Sequence, residues 1–324
     1  IGNYYGLSDK FLTVLEGVVS KISDFTKAEY RMGCMINTQN ANPHNWGVGE
    51  AADSDAVIFV GGIDSSIEGE EGDAIASPDM GDRLDLNLPQ NQVEFLQKLR
   101  EKSPNVKIIF VLIAGSPVIF PEQLVDAVIF TPYPGEQGGT AVADIIFGDY
   151  SPSGKLPFTF PQSNNDLPPY DDYSMRNRTY RYSGSEPLYP FGFGLSYAKL
   201  SLSELSLSDT IIRKGKTLKF SLALANHSDF AVEETVQIYL SFPDSEFENP
   251  KHALKAFKKI KLAAKEKKII PFKLAPTSLA TVNNEGENIV LQGKYNLFAG
   301  LSSPHPKNFK LGAIKGVSTE FTVK

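Results

Sequence analysis

The sequence predicts an α/β sandwich with a mostly parallel sheet, incomplete at its N-terminus, followed by an all-β sandwich. Three observations predict this. Up to about residue 150, short apolar runs alternate with helix-patterned segments, the texture of a parallel sheet covered on both faces. A stretch rich in Pro, Gly, Tyr, Asp and Asn then runs to Tyr197. Beyond it, short runs of near-alternating polarity are separated by turns, as in an antiparallel β-sandwich. A chain of 324 residues fits two domains. Its 41% hydrophobic content supplies real cores and excludes global disorder.

Phe11–Ile22 has helical spacing, and Ala56–Val60 is an apolar strand ending at Gly61-Gly62. Gln90–Glu101 reads as an amphipathic helix with Val93, Leu96 and Leu99 on one face and Phe95 at its edge; Pro89 suits its start. Val106–Ile113 is a buried strand that stops at Gly115-Ser116-Pro117, and Ala127–Phe130 is another strand. A helix spans roughly Gly138–Phe147. In such sheets ligands sit beyond the carboxyl ends of the strands, so the loops after Val60, Ile113 and Phe130 are the places to look. In the last third, Lys216–Ala223, Glu234–Ser241, Lys267–Leu274 and Gly293–Gly300 read as strands. The lysines from Lys251 to Lys268 read as solvated faces of edge strands rather than an anion site. The expected boundaries are 1–163 for the α/β domain, 164–198 for the connector and 199–324 for the β-sandwich.

Several function classes drop out. A formal net charge of −6 argues against a nucleic-acid partner, and no apolar run is long enough for a membrane span. One cysteine, Cys34, excludes an internal disulfide and a cysteine-built metal site. His44, His227, His252 and His305 are scattered, so no zinc site is expected. Gly135–Gly139 lacks the lysine of a phosphate loop and reads as a strand-to-helix turn. Gly192 and Gly194 mark turns between aromatics, and no Gly-x-Ser-x-Gly elbow is present. Trp46 and the connector tyrosines could stack on sugar rings, although such aromatics more often staple domains together.

The most informative segment is the acidic loop after the first strand, with Asp64, Glu68, Glu70, Glu71 and Asp73, then Asp82 and Arg83. Crowded carboxylates raise one another's pKa, as a general acid at neutral pH requires. A nearby arginine can keep a neighbouring carboxylate ionised. An acidic surface loop has the same composition; a calcium loop would show a regular D-x-D-x-D spacing that is absent here.

Several motifs in order resemble one family. They are Gly61-Gly62-Ile63-Asp64 with Ile67-Glu68-Gly69-Glu70-Glu71, then Gly81-Asp82-Arg83 and Leu88-Pro89. Tyr133–Gly139, Ala141–Ile145, Phe147–Pro157, Arg178–Tyr182 and Leu188–Tyr197 continue the series. Together they resemble the C-terminal half of a family 3 glycoside hydrolase of the β-glucosidase and β-xylosidase kind. Glu234–Tyr239 and Leu254–Phe257 resemble that family's fibronectin-III-like domain. The resemblance implies a retaining mechanism with a nucleophilic Asp and an acid/base Glu, and no metal or organic cofactor. It places the acid/base at Glu68, with Glu70 as the alternative, and Asp64, Glu71, Asp73, Asp82 and Arg83 as loop support.

The family's nucleophile lies in an N-terminal (β/α)₈ barrel with a Ser-Asp-Trp-like signature, and no such segment is found here. The only tryptophan, Trp46, follows Asn45. The family's first sandwich strand is also expected just before Ile1. The chain therefore reads as starting inside something larger. Ile1–Tyr5 has no start methionine or signal-peptide pattern. The barrel would come in cis or as a separate polypeptide. The substrate expected is a β-linked oligosaccharide or aryl glycoside, with the β-xylosidase type slightly favoured. The chain alone is expected to be inactive or nearly so, with an exposed face that the barrel would cover. A truncated, non-catalytic module binding carbohydrate or protein is the rival; a nucleotide- or flavin-binding domain lacks a phosphate motif. The family implies a secreted or periplasmic location. Asn177-Arg178-Thr179 and Asn226-His227-Ser228 fit glycosylation sequons.

Overall fold

A computed structural model describes residues 8–40, 44–246 and 248–324; the reading of Ile1–Tyr5 lies outside them. The chain divides into two compact units, Ile1–Tyr150 and Ser151–Lys324. The first contains α1 (Val14–Val19), α2 (Trp46–Glu50), β1 (Ala56–Gly62), α3 (Gln90–Lys102), β2 (Lys107–Ile113), β3 (Ala127–Thr131) and α4 (Gly138–Phe147).

The strands form a parallel sheet in the order β1-β2-β3. Ile108, Phe110, Val111 and Leu112 are all fully buried in β2. Successive side chains point to opposite faces, so the central strand is covered on both. Helix α1 packs with α4, and α2 with α3. Helix α1 is shorter than its apolar spacing suggests, because Thr13 caps it in a capping box with Glu16. Helix α3 buries Phe95, Leu96 and Leu99 and only part of Val93. Its face is turned from the expected one because Phe95 packs on Phe59 of β1, with ring centroids 5.6 Å apart.

The second unit holds α5 (Thr179–Tyr182), β4 (Leu200–Leu207), β5 (Ile211–Ile212), β6 (Leu218–Asn226), β7 (Val232–Ser241), β8 (Ala253–Leu262), β9 (Lys267–Leu274), β10 (Thr281–Val282), β11 (Asn288–Ile289), β12 (Gly293–Gly300), α6 (Pro306–Lys310) and β13 (Val317–Val323). Sheets β5-β13-β12-β7-β8 and β4-β6-β9 bury a shared core that includes Leu222, Leu224, Val236, Ile238, Leu297 and Phe321. Strands β8 and β9 are edge strands, and Lys258, Lys259, Lys261 and Lys267 are exposed on them. That is how edges resist unwanted pairing.

The aromatic stretch before β4 belongs to this unit. Tyr180 stacks on Phe191 at 4.0 Å, its hydroxyl accepts from the Leu254 amide, and the Gln237 side chain donates to the Gly192 carbonyl. Lys155 and Glu234 form a buried ion pair at 3.0 Å. Asn226 is only 1% exposed and its amide nitrogen donates to the Phe230 and Ala263 carbonyls. That second sequon is therefore closed to modification in the folded chain; Asn177 is exposed.

Candidate active site

Strand β1 ends at a point where only glycine fits. Gly62 has φ 135°, and a Cβ there would lie 1.9 Å from the Ile113 carbonyl oxygen. The buried Gln92 side chain of α3 fixes this end. Its oxygen accepts from the Gly62 amide at 2.9 Å, and its nitrogen donates to the Gly62 and Ile36 carbonyls at 2.7 and 2.6 Å. The Ile63 amide then donates to Ile113, so the acidic loop leaves the sheet beside the end of β2.

Asp64 shapes the first turn of the loop. Its carboxylate accepts from the Ser66 amide and hydroxyl, and its carbonyl from the Ile67 and Glu68 amides. Further bonds tie the loop to itself: Ala76 N–H to Ser66, Gly72 N–H to Met80, and the Ser77 hydroxyl to the Asp82 carbonyl. Ile63, Ala74 and Leu88 are buried beneath it. Leu88 and Ile119 strap its far end to the loop after β2.

Of the residues singled out by sequence, the structure joins Glu68 and Arg83. Arg83 Nε lies 2.5 Å from Glu68 Oε2, with the arginine side chain 8% exposed and the glutamate 28%. Ser116, at the loop after β2, completes the group. Its hydroxyl lies 2.7 and 2.8 Å from the two Glu68 oxygens, and it accepts from Arg83 Nη2 at 2.8 Å. Arg83 Nη2 also donates to the Pro117 carbonyl. Burial pulls the guanidinium below its usual pKa, and the Glu68 charge opposes that pull. Tyr133, after β3, is raised above the usual phenol value by burial and then by the Glu68 charge. Its ring lies so close to Gly115 that a Cβ there would meet it at 2.8 Å. The loops after β1 and β2 thus meet at one carboxylate, and Tyr133 of the loop after β3 packs against Gly115 beside it.

Glu70, Glu71, Asp73 and Asp82 are exposed on the same loop. Ser116 carried no sequence signal beyond its place at a strand end, where a serine in a Gly-Ser-Pro turn is ordinary. Chemically, the group offers one part-exposed carboxylate whose orientation is fixed from behind by a cation and a hydroxyl. A carboxylate so held can exchange a proton with a bound molecule in front of it.

The glycosyl hydrolase family 3 C-terminal domain model matches residues 1–197, and the fibronectin type III-like domain model matches residues 234–303. The chain belongs to glycosyl hydrolase family 3.

A xylan 1,4-beta-xylosidase of Xylanibacter ruminicola is 38% identical over 254 residues, covering 76% of this chain and 28% of that protein. A beta-xylosidase of Formosa agariphila is 31% identical, covering 94% of this chain and 41% of that protein. Among solved structures, a β-glucosidase from Erythrobacter marinus matches with a TM-score of 0.78 at 27% identity, covering 100% of this chain and 44% of that one. The chain spans less than half the length of these relatives. Among the described residues, no helix is long and apolar enough to cross a membrane.

Proposed function

We propose that this chain is the C-terminal portion of a retaining exo-β-glycosidase, of β-xylosidase or β-glucosidase type, and that Glu68 is its general acid/base. The observation that carries this reading is the clasp on Glu68: a single part-exposed carboxylate at the ends of the parallel strands, gripped by Arg83 and Ser116. In the reaction, a nucleophilic Asp attacks the anomeric carbon while Glu68 gives its proton to the leaving oxygen. Glu68 then takes a proton from the water that hydrolyses the glycosyl-enzyme. The Asp would come from a (β/α)₈ barrel, in cis or as a separate polypeptide. A retaining enzyme would place the nucleophilic carboxylate roughly 5 Å from Glu68.

The substrate is a β-linked oligosaccharide or aryl glycoside. The names of the nearer relatives support the xylosidase type, and a periplasmic beta-glucosidase of Salmonella typhimurium among the relatives supports an extracytoplasmic location. Glu68→Gln and Glu70→Gln, made separately in the complete enzyme, test the assignment. Glu68→Gln should slow hydrolysis of an unactivated aryl glycoside by roughly a hundredfold or more. If both variants keep full activity the proposal is wrong; loss confined to Glu70→Gln moves the role to Glu70. This chain by itself should release no aglycone.

A further inference from the structure

We infer that Ser116 is a positioning residue for the glycosidase reaction, fixing the direction in which Glu68 presents its proton to the leaving oxygen. The inference rests on the reading of Glu68 as acid/base and adds a residue that neither the sequence motifs nor the family resemblance singled out.

Ser116 and Glu68 are 48 residues apart in sequence, on loops that leave different strands. Arg83 stands behind both. It touches Glu68 directly through Nε and again through Ser116, because Nη2 donates to the serine oxygen at 2.8 Å. The serine oxygen accepts from arginine, so its own hydrogen is free to point at the carboxylate. Both carboxylate oxygens lie within hydrogen-bond reach of it. Donors linked in series polarise one another and strengthen the terminal bond.

Nη2 donates to Ser116 and to the Pro117 carbonyl, and Nε stands against Glu68 as an ion-pair contact. One guanidinium thus meets Glu68, Ser116 and Pro117 together. A carboxylate at the end of a side chain with three rotatable bonds would otherwise sample several rotamers in a loop rich in glycine. The Arg83–Ser116 pair holds it from two sides, and the carboxyl that transfers a proton must lie within hydrogen-bond reach of its target. The loss of a single well-placed contact can shift that geometry enough to be felt in rate.

The test uses the complete enzyme and two aryl glycosides of the same sugar, one with a phenol leaving group and one with dinitrophenol. Only the poor leaving group needs the acid's proton. Ser116→Ala should lower kcat/KM for the phenyl glycoside by roughly tenfold to a hundredfold. It should leave the dinitrophenyl glycoside within about twofold, which also shows that the variant is folded. Ser116→Thr, which keeps the hydroxyl, should restore most of the phenyl activity. Equal losses on both substrates, or no loss on either, overturn the inference. Glu68→Gln in the same series separates the two claims. If it shows the leaving-group-dependent loss and Ser116→Ala does not, the serine role alone falls. If Glu68→Gln cleaves the phenyl glycoside normally, the serine role falls together with the acid/base reading.

Discussion

Two carboxylate–cation pairs in this chain have nearly the same chemistry and opposite settings. Glu234 and Lys155 in the second unit are 1% and 9% exposed, and Lys155 also donates to the Gly194 carbonyl. Burial pushes Glu234 up and Lys155 down, each toward its neutral form, and each partner's charge opposes the other's shift. Glu68 and Arg83 in the first unit bury the cation but leave the carboxylate partly open. The first pair is closed on both sides and ties the Ser-Gly-Lys segment to β7. The second is closed behind and open in front. A pair closed on both sides serves the fold, whereas a pair with an accessible carboxylate oxygen is a candidate for chemistry.

The contrast is broken most forcefully at Lys155. Lys155→Met leaves an uncompensated buried carboxylate and should cost about 3–5 kcal/mol. Lys155→Met with Glu234→Leu should recover most of that loss. Urea denaturation of this chain would measure both, and equal losses in single and double variants would show that packing, not charge, dominates. Gln92→Leu comes next. It strips the β1 end of the bonds to Gly62 and Ile36 and should cost about 2 kcal/mol. Because this support lies under the acidic loop, the complete enzyme should also lose activity.

A pH-dependent effect comes from His252, which packs between Tyr180 and Tyr239. Burial pulls it down to about 4. A group lowered on folding stabilises above its unfolded pKa, near 6.5, and that stability is lost as pH falls through the folded value. The melting temperature should therefore drop between pH 6.5 and 4, and the drop should be smaller in His252→Phe. A drop of equal size in both would remove the histidine from the account. The smallest effect sharpens the comparison from the other side. Glu68→Gln should change stability by under about 1 kcal/mol, because its carboxylate is part-exposed and the loss is screened.

Much of this was legible in the sequence because it depends on local periodicity. β2, β3, β9, β12 and α4 follow apolar runs or alternation that need no tertiary information. The strand ends after Val60, Ile113 and Phe130 were also legible, since a parallel sheet places its ligand side there. The rotation of α3 was not, because Phe95 answers to Phe59 on another element rather than to its own helix. The eight-residue strand Leu200–Leu207, with its bulge between Ser203 and Ser206, was likewise hidden, since register belongs to the partner strand. The acidic loop announced itself by composition, but composition does not say which carboxylate is gripped. That choice is made by Ser116, and a serine in a turn looks like any other until the chain brings it 2.7 Å from Glu68.

The most direct test of the central claim is chemical rescue in the complete enzyme. Glu68→Ala should cleave an activated aryl glycoside with slow turnover of the glycosyl-enzyme. Added azide, which needs no general base, should speed that turnover and give a glycosyl azide of retained configuration. Rescue of Glu70→Ala instead, with Glu68→Ala indifferent to azide, would contradict the account.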